Sequence, residues 1–240
     1  KEHRYAAIEM GQGRPGDIAY LVGIARPDIA LVTNVTGAHL AAFGSMQAIA
    51  DGKGEVYAQL PPDGVAIYNR DDVFADSWLR KLPPCRRLGF GLSPAAEVRA
   101  EAVSVGSDGC AQFTLLYAGA RTPVQLAVPG VHNVSNALAA AAVGFACGLP
   151  APQVAAALAG VTPVGGRLAV RELAGGVRLV DDTYNANPGS VRAAVRTLCA
   201  WPGRRLLVLG DMAELGPTAA ELHREVGAFA RAAGVDALYA

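Results

Sequence analysis

The chain has 240 residues, 52% of them hydrophobic and 18% charged, with 21 basic residues balancing 21 acidic ones. That is enough to bury a core in one large domain or two smaller ones, and a net charge of zero leaves no electrostatic case for nucleic acid or an anionic membrane. The four cysteines, Cys85, Cys110, Cys147 and Cys199, lie far apart without CxxC spacing, which argues for free thiols in a reducing compartment rather than zinc or disulfides. Lys1, Lys53 and Lys81 are the only lysines. The most apolar stretch, residues 137–149, is too short to span a bilayer, and no charged-then-apolar signal opens the chain. The expectation is a soluble, cytoplasmic protein without membrane insertion. Apolar runs close to both ends of the sequence, and the absence of a first methionine, suggest a fragment of something longer.

Residues 5–9, 29–34 and 65–69 read as buried strands, each ending in a polar residue. Between them, residues 15–25 and 45–60 read as helices; Ser45 caps the second, with Ile49, Val56 and Leu60 roughly on one face. This β–α–β–α–β rhythm predicts an α/β fold with a mostly parallel sheet covered by helices. Alternating runs around Ser107-Asp108-Gly109, within residues 97–128, predict antiparallel hairpins. Residues 131–147 and 152–159 read as helices, the first nearly all alanine and so closely packed. The stretch 160–166, with Pro163 inside, reads as a domain junction. Beyond it the alternation restarts: strand 177–180, helix 190–201, strand 206–209, helix 219–233 and a third strand from 235. This predicts a second, smaller α/β domain that is incomplete.

Ligands of open parallel sheets bind beyond the carboxyl ends of the strands. Those ends carry Glu9-Met-Gly11, then Asn34-Val-Thr-Gly-Ala-His39, then Asn69-Arg-Asp71-Asp72, with Lys53 in the intervening helix. In the second domain they carry the run from Asp181 to Pro188 and Gly210-Asp211-Met-Ala-Glu214. Each has a plain alternative. A strand-end glutamate often caps a helix, a loop histidine often bonds backbone, a helical lysine is usually solvated, and Asp182–Pro188 is rich in turn formers. Their convergence on one side of the sheet is what points to a site. Gly52-Lys53 is no phosphate loop, since Gln47 stands where the first glycine belongs and Gly54 follows the lysine. Gly11-Gln-Gly13 lacks the third glycine of a dinucleotide fingerprint, so NAD binding is the weakest reading.

These residues, in this order, resemble the Mur ligases of peptidoglycan assembly, and among them the MurF family. The likeness runs through Ile8-Glu-Met-Gly11 with Pro15-Gly-Asp-Ile18, Arg26-Pro-Asp28, Thr33-Asn34, His39-Leu40 and Phe43-Gly-Ser45. It continues in Lys53-Gly-Glu55, Asn69 with Asp71-Asp72, His132-Asn133 with Asn136-Ala137, and Gly166-Arg167. The pair formed by residues 181–188 and 210–216 points to this member over its sister ligases.

The resemblance implies a central ATPase-type domain over residues 1–162, N-terminally truncated, and a Rossmann-like C-terminal domain over 163–240, C-terminally truncated. The phosphate loop and the uridine-nucleotide domain would lie upstream, so the fragment alone should be inactive. It implies ATP and Mg2+ as cofactors, UDP-N-acetylmuramoyl-tripeptide and D-alanyl-D-alanine as partners, and a monomer. Glu9 and His39 would contact the metal, and Lys53 would be carbamylated and join them in a catalytic set. Asn133, Asn136 and His132 would lie at the adenine, Arg167 at a phosphate and Asp182 at the ribose; Asn69 would complete the nucleotide side. Tyr184, Asn185 and Asn187 would face the ATP or the incoming dipeptide. Two departures from the family pattern are Val131, where arginine is usual, and Asp51-Gly52 in place of small residues. The alternatives are another Mur-type or folylpolyglutamate-type ligase, or a catalytically silent Mur-like binding module.

Overall fold

A computed structural model describes residues 2–36 and 40–240. Helix α1 (Asp17–Ala25) opens at Gly16, whose φ of +88° is open to glycine at little cost. Its amino end is capped from a distance, as Glu55 accepts from the N–H groups of Gly16 and Ala19 at 3.1 and 3.0 Å. Strand β1 (Ile29–Val32) and the short helix α2 (Leu40–Phe43) precede α3 (Met46–Gly54). Ser45 caps α3 as its spacing predicts, its hydroxyl accepting from the Ala48 N–H at 3.1 Å. The helix expected over 45–60 changes at Gly54 into a 3-10 turn, Glu55–Tyr57. Trp78 lies flat against this point, and a Cβ on Gly54 would stand 2.8 Å from its Cδ1.

Next come β2 (Val65–Asn69), α4 (Ala75–Lys81), β3 (Arg86–Gly91) and the meander β4 (Val98–Val105), β5 (Cys110–Tyr117) and β6 (Ala120–Pro129). These strands and β1 form one six-stranded sheet in the order β1-β2-β3-β4-β5-β6, parallel from β1 to β4 and antiparallel from β4 to β6. Residues 5–9, expected as a strand, are in none. Tyr5 and Ile8 are 64% and 62% exposed. Their apolar run supplies propensity, but a strand exists only where a neighbour takes its hydrogen bonds, and β1 pairs with β2 alone.

Both faces of β2 are buried, as suits a parallel sheet covered on two sides. Val65 and Ile67 join Leu88, Phe90 and Val98 beneath helices α5 (His132–Ala146) and α6 (Ala151–Ala159). Ala66 and Tyr68 face the other way, onto Ala50, Tyr57 and Trp78. Buried alanines 137, 139, 141 and 142 give α5 a small-residue face toward the sheet.

The second half holds β7 (Ala169–Leu173), β8 (Val177–Asp181), α7 (Pro188–Ala200), β9 (Leu206–Val208), α8 (Ala219–Ala233) and β10 (Ala237–Tyr239). β9 and β10 pair in parallel beside α7 and α8, whose Val191, Val195, Val226 and Ala230 form a separate core with Met212 and Leu215. β8 departs from the expected alternation, pairing antiparallel with β7. Gly175 and Gly176, at φ of +77° and +73°, make the turn that brings Leu173 opposite Val177. Among the described residues no helix is long and apolar enough to cross a membrane.

The two halves meet where α7 packs on two glycine turns of the first. Trp201 covers Gly109, where a Cβ would come within 2.6 Å of the indole, and Thr197 lies against Gly130. Gly119 has a comparable φ, +83° against +80°, but nothing within 4 Å of its Cβ position. Gly119→Ala should therefore cost only the left-handed backbone penalty, about 1–2 kcal/mol. Gly109→Ala should cost about 1–3 kcal/mol more through overpacking. Urea denaturation of both variants checks the difference.

Candidate active site at the strand ends and the junction

The carboxyl end of β2 is tied to both neighbouring strands by side chains. Asn69, only 8% exposed, donates through Nδ2 to the Thr33 carbonyl at 2.9 Å and accepts the Asp71 N–H on Oδ1 at 2.9 Å. Asp71 accepts the N–H groups of Leu92 and Ser93, at 2.6 and 2.9 Å, holding the loop that leaves β3. Asp72 accepts from Val35 at 2.8 Å and from Phe74 at 2.9 Å, holding the loop that leaves β1. Asn69 thus serves the frame through both ends of its amide.

Lys53 lies near this knot, half-buried in the last turn of α3. Burial holds its amine below the ordinary lysine range, and the Asp72 carboxylate opposes that shift only in part. Asp51 is engaged elsewhere, by Lys81 at 2.6 Å and by Gln47 at 3.1 Å. The unusual Asp51 is in this way neutralised by another of the chain's lysines. The segment carrying Glu9 runs past the same helix. Gln12, 8% exposed, donates to the Ile49 carbonyl at 3.4 Å and lies against Gly52, next to Lys53. Glu9 itself is exposed, a hard oxygen donor of the kind magnesium prefers. His39 lies outside the described residues. Among the described residues no three His, Cys, Asp or Glu side chains converge as a metal site, and a magnesium ion held chiefly by phosphate and water oxygens needs no such cluster.

The second group of candidates gathers where α5 begins and β8 ends. Asn133 donates to the Pro129 carbonyl at 2.7 Å and accepts from Asn136 Nδ2 at 2.8 Å, so the two amides act as one unit at the helix start. Val131 occupies the cap of α5 without a side-chain bond to it. Burial lowers the pKa of His132, and the Asp182 carboxylate from the other half of the chain works against it. Asp182 also accepts from the Leu168 N–H at 3.1 Å. Tyr184 donates its N–H to the Gly166 carbonyl at 3.0 Å, and the Arg167 guanidinium lies 4.2 Å from the centre of its ring. His132 therefore lies within electrostatic reach of Asp182 across the junction, and Asp182 shares its loop with Tyr184, on whose ring Arg167 rests.

Asn187 caps α7. Its Oδ1 accepts from Gly189 and Ser190, each at 3.0 Å, while Ser190 Oγ accepts the Asn187 N–H. Asn185 is exposed, and its Oδ1 accepts from the Ala186 N–H at 2.8 Å. Gln12, Thr197 and Trp201 had no motif to betray them, because their importance comes from packing between distant segments.

This fold, a mostly parallel sheet with a second α/β unit packed against it, is that of the Mur ligases. The Mur ligase middle domain profile matches residues 1–144, and that of the Mur ligase glutamate ligase domain matches residues 166–240; the chain belongs to the Mur ligase family. Within that family it is 42% identical to UDP-N-acetylmuramoyl-tripeptide–D-alanyl-D-alanine ligase of Escherichia coli (strain K12) over 236 residues, covering 98% of the chain and 52% of the relative. The crystal structure I of MurF from Acinetobacter baumannii superposes with a TM-score of 0.94 at 32% identity, over 99% of this chain and 51% of that one. MurF from Thermotoga maritima in complex with ADP superposes with a TM-score of 0.82 at 31% identity, over 96% and 52%. The chain spans about half the length of the curated relatives it matches.

The lowered Lys53 pKa has a defined consequence for stability. Between the folded value and the ordinary lysine value of 10.5, the unfolded chain binds more protons than the folded one, so stability rises with pH across that window. Below the window the cost of the desolvated ammonium is complete. In carbon-dioxide-free buffer, Lys53→Met should therefore be more stable than wild type at neutral pH, and the gain should shrink as pH climbs toward 10.5. Denaturation midpoints of both proteins across that range measure it.

Proposed function

We propose that the full-length protein joins D-alanyl-D-alanine to UDP-N-acetylmuramoyl-tripeptide at the expense of ATP, in peptidoglycan precursor synthesis. The observation that carries this reading is the half-buried Lys53 amine within the field of Asp72, near the carboxyl ends of the parallel strands. The names of the relatives supply the substrates, and the Thermotoga maritima structure was solved with ADP. In such a reaction a tripeptide carboxylate oxygen attacks the γ-phosphorus and ADP leaves. The dipeptide amine then attacks the acyl carbon, loses a proton, and phosphate departs. Bringing a carboxylate to a triphosphate is opposed by charge repulsion, so the site must place compensating charge.

Glu9, His39 and a carbamylated Lys53 are the residues that would hold magnesium, which when bound neutralises phosphate charge. Carbamylation needs a neutral amine, and burial moves Lys53 toward that form. The nitrogen adds to carbon dioxide, an N–C bond forms, a proton is released, and the ammonium is replaced by an anion. Asn133 and Asn136 offer paired donor and acceptor groups suited to an adenine edge. Asp182 would accept from ribose hydroxyls and Arg167 would reach a phosphate, its guanidinium resting on the Tyr184 ring. Asn69 contributes by holding the strand ends, and Asn185 and Asn187 by shaping the loop toward the dipeptide. A monomer in the cytoplasm accords with this role.

Phosphate release by the full-length protein should require both the UDP-muramoyl tripeptide and D-alanyl-D-alanine. Release supported equally by free glutamate or a folate would overturn the assignment. Lys53→Ala should lower kcat/KM by about 10²- to 10³-fold, the scale of losing one preorganised charge-stabilising group. Depleting carbon dioxide should reduce wild-type activity, and an enzyme indifferent to it would exclude the carbamate.

A further inference from the structure

Outside the residues already assigned, His223 has both ring nitrogens engaged by backbone. It sits half-buried on α8, with Nε2 3.0 Å from the Met212 backbone nitrogen and Nδ1 2.8 Å from the Ala219 carbonyl oxygen. A backbone N–H only donates, so Nε2 accepts and the ring proton sits on Nδ1, where it donates to Ala219. Both ring nitrogens are occupied, and the backbone dictates the tautomer.

The residue held by Nε2 belongs to the 210–216 loop, immediately beyond the carboxyl end of β9. This loop faces two ways. Met212 and Leu215, each 2% exposed, insert into the core formed with α7 and α8, while Asp211 and Glu214 point outward. Glu214 holds a left-handed φ of +62°, a conformation that costs a non-glycine residue about 1–2 kcal/mol and persists only when its surroundings impose it. Two residues on, Gly216 closes against the first half of the chain: a Cβ there would stand 3.0 Å from the Ala41 Cβ in α2. The loop is thus wedged between the core of one half and α2 of the other. Its backbone is held by the imidazole at Met212 and by the Thr218 hydroxyl, which donates to the Leu215 carbonyl at 3.2 Å.

We propose that His223 is a positioning residue, which locks the 210–216 loop in the shape that seats Gly216 against α2 and presents the exposed Asp211 and Glu214 beside that contact. Its effect on turnover rests on the ligase reading above; its effect on the loop does not. The side chain acts through Met212 and touches no reacting atom.

The test compares His223→Ala with His223→Gln in the full-length protein. Glutamine places an amide oxygen near the position of Nε2, so it restores the acceptor for Met212 without the donor to Ala219. In wild type, nitrogen chemical shifts should show Nε2 unprotonated. The Met212 amide should exchange about 10-fold faster in His223→Ala, the factor expected for losing one hydrogen bond, and close to the wild-type rate in His223→Gln. Tripeptide- and D-alanyl-D-alanine-dependent kcat/KM should fall about 10-fold in the alanine variant and recover in the glutamine variant, at temperatures where both remain folded. A protonated Nε2, unchanged Met212 exchange in His223→Ala, or glutamine behaving like alanine would each overturn the proposal. So would faster exchange with kcat and KM unaltered, which would make His223 structural only. If wild type lacks the ligase activity, the ligase reading fails, and tautomer and exchange still decide whether His223 holds the loop. If the alanine variant does not fold, the wild-type tautomer and the glutamine variant decide it.

Discussion

The Asp72 carboxylate is the contact on which the placement of the strand ends depends. One oxygen accepts from Val35, on the loop leaving β1, and the other from Phe74, on the turn leaving β2. The same charge faces Lys53 and opposes the burial of its ammonium. With Asn69 reaching back to Thr33 and Asp71 reaching forward to Leu92 and Ser93, three of four consecutive residues bind three strand ends together. Parallel strands have no hairpin to define where their exits lie, so cross-strand side-chain bonds of this kind must do it. A lysine placed in the frame then feels a fixed field rather than a mobile one.

The legible parts of the fold were those whose signals are local. The alternation in Val65–Asn69 matches a strand whose two faces enter different cores, and Ser45 caps α3 where its position in the chain suggested. The turn at Gly109 joins β4 to β5 as the surrounding runs implied. Strands β3 and β7 were not legible. β3 opens with Arg86 and Arg87 and carries Gly89 and Gly91, which weaken any strand signal. Those glycines are there because Glu97 and Asp71 approach the backbone, with side-chain atoms 2.7 Å from the Cβ each would otherwise carry. Residues 5–9 show the converse, an apolar run without a partner strand. In the candidate site the polar residues themselves were visible, but their division of labour was not. That Asn187 and Asn69 bind backbone is a property of helix and strand ends brought into place by tertiary structure.

The junction between the halves explains how residues far apart in sequence serve one place. Trp201 and Thr197 set α7 on the turns at Gly109 and Gly130, and Gly130 leads directly into His132 and α5. The same packing brings Asp182 within electrostatic reach of His132. Moving the second half would therefore disturb the start of α5 and the exit of β8 together. The contacts of Gly189 with Thr36 and of Gly216 with Ala41 extend the junction toward the loop that leaves β1. The start of α5, the exit of β8 and the loop that leaves β1 thus share one seam.

An accounting of polar capacity separates frame from chemistry. Buried polar groups are costly unless paired, so a side chain whose hydrogen bonds all run to backbone is explained by the fold itself. Asp71, Asp72, Glu55 and the cap oxygen of Asn187 fall in that class, however suggestive their motifs look. Lys53 does not: among the described residues its amine has no hydrogen-bond partner, only the distant pull of Asp72 against its own burial. Arg167 rests on an aromatic face rather than on a carboxylate, so its five donors stay available while its position is restrained. The desolvated amine and the aromatic-stacked guanidinium are thus cations whose hydrogen-bonding capacity the fold leaves unspent among the described residues.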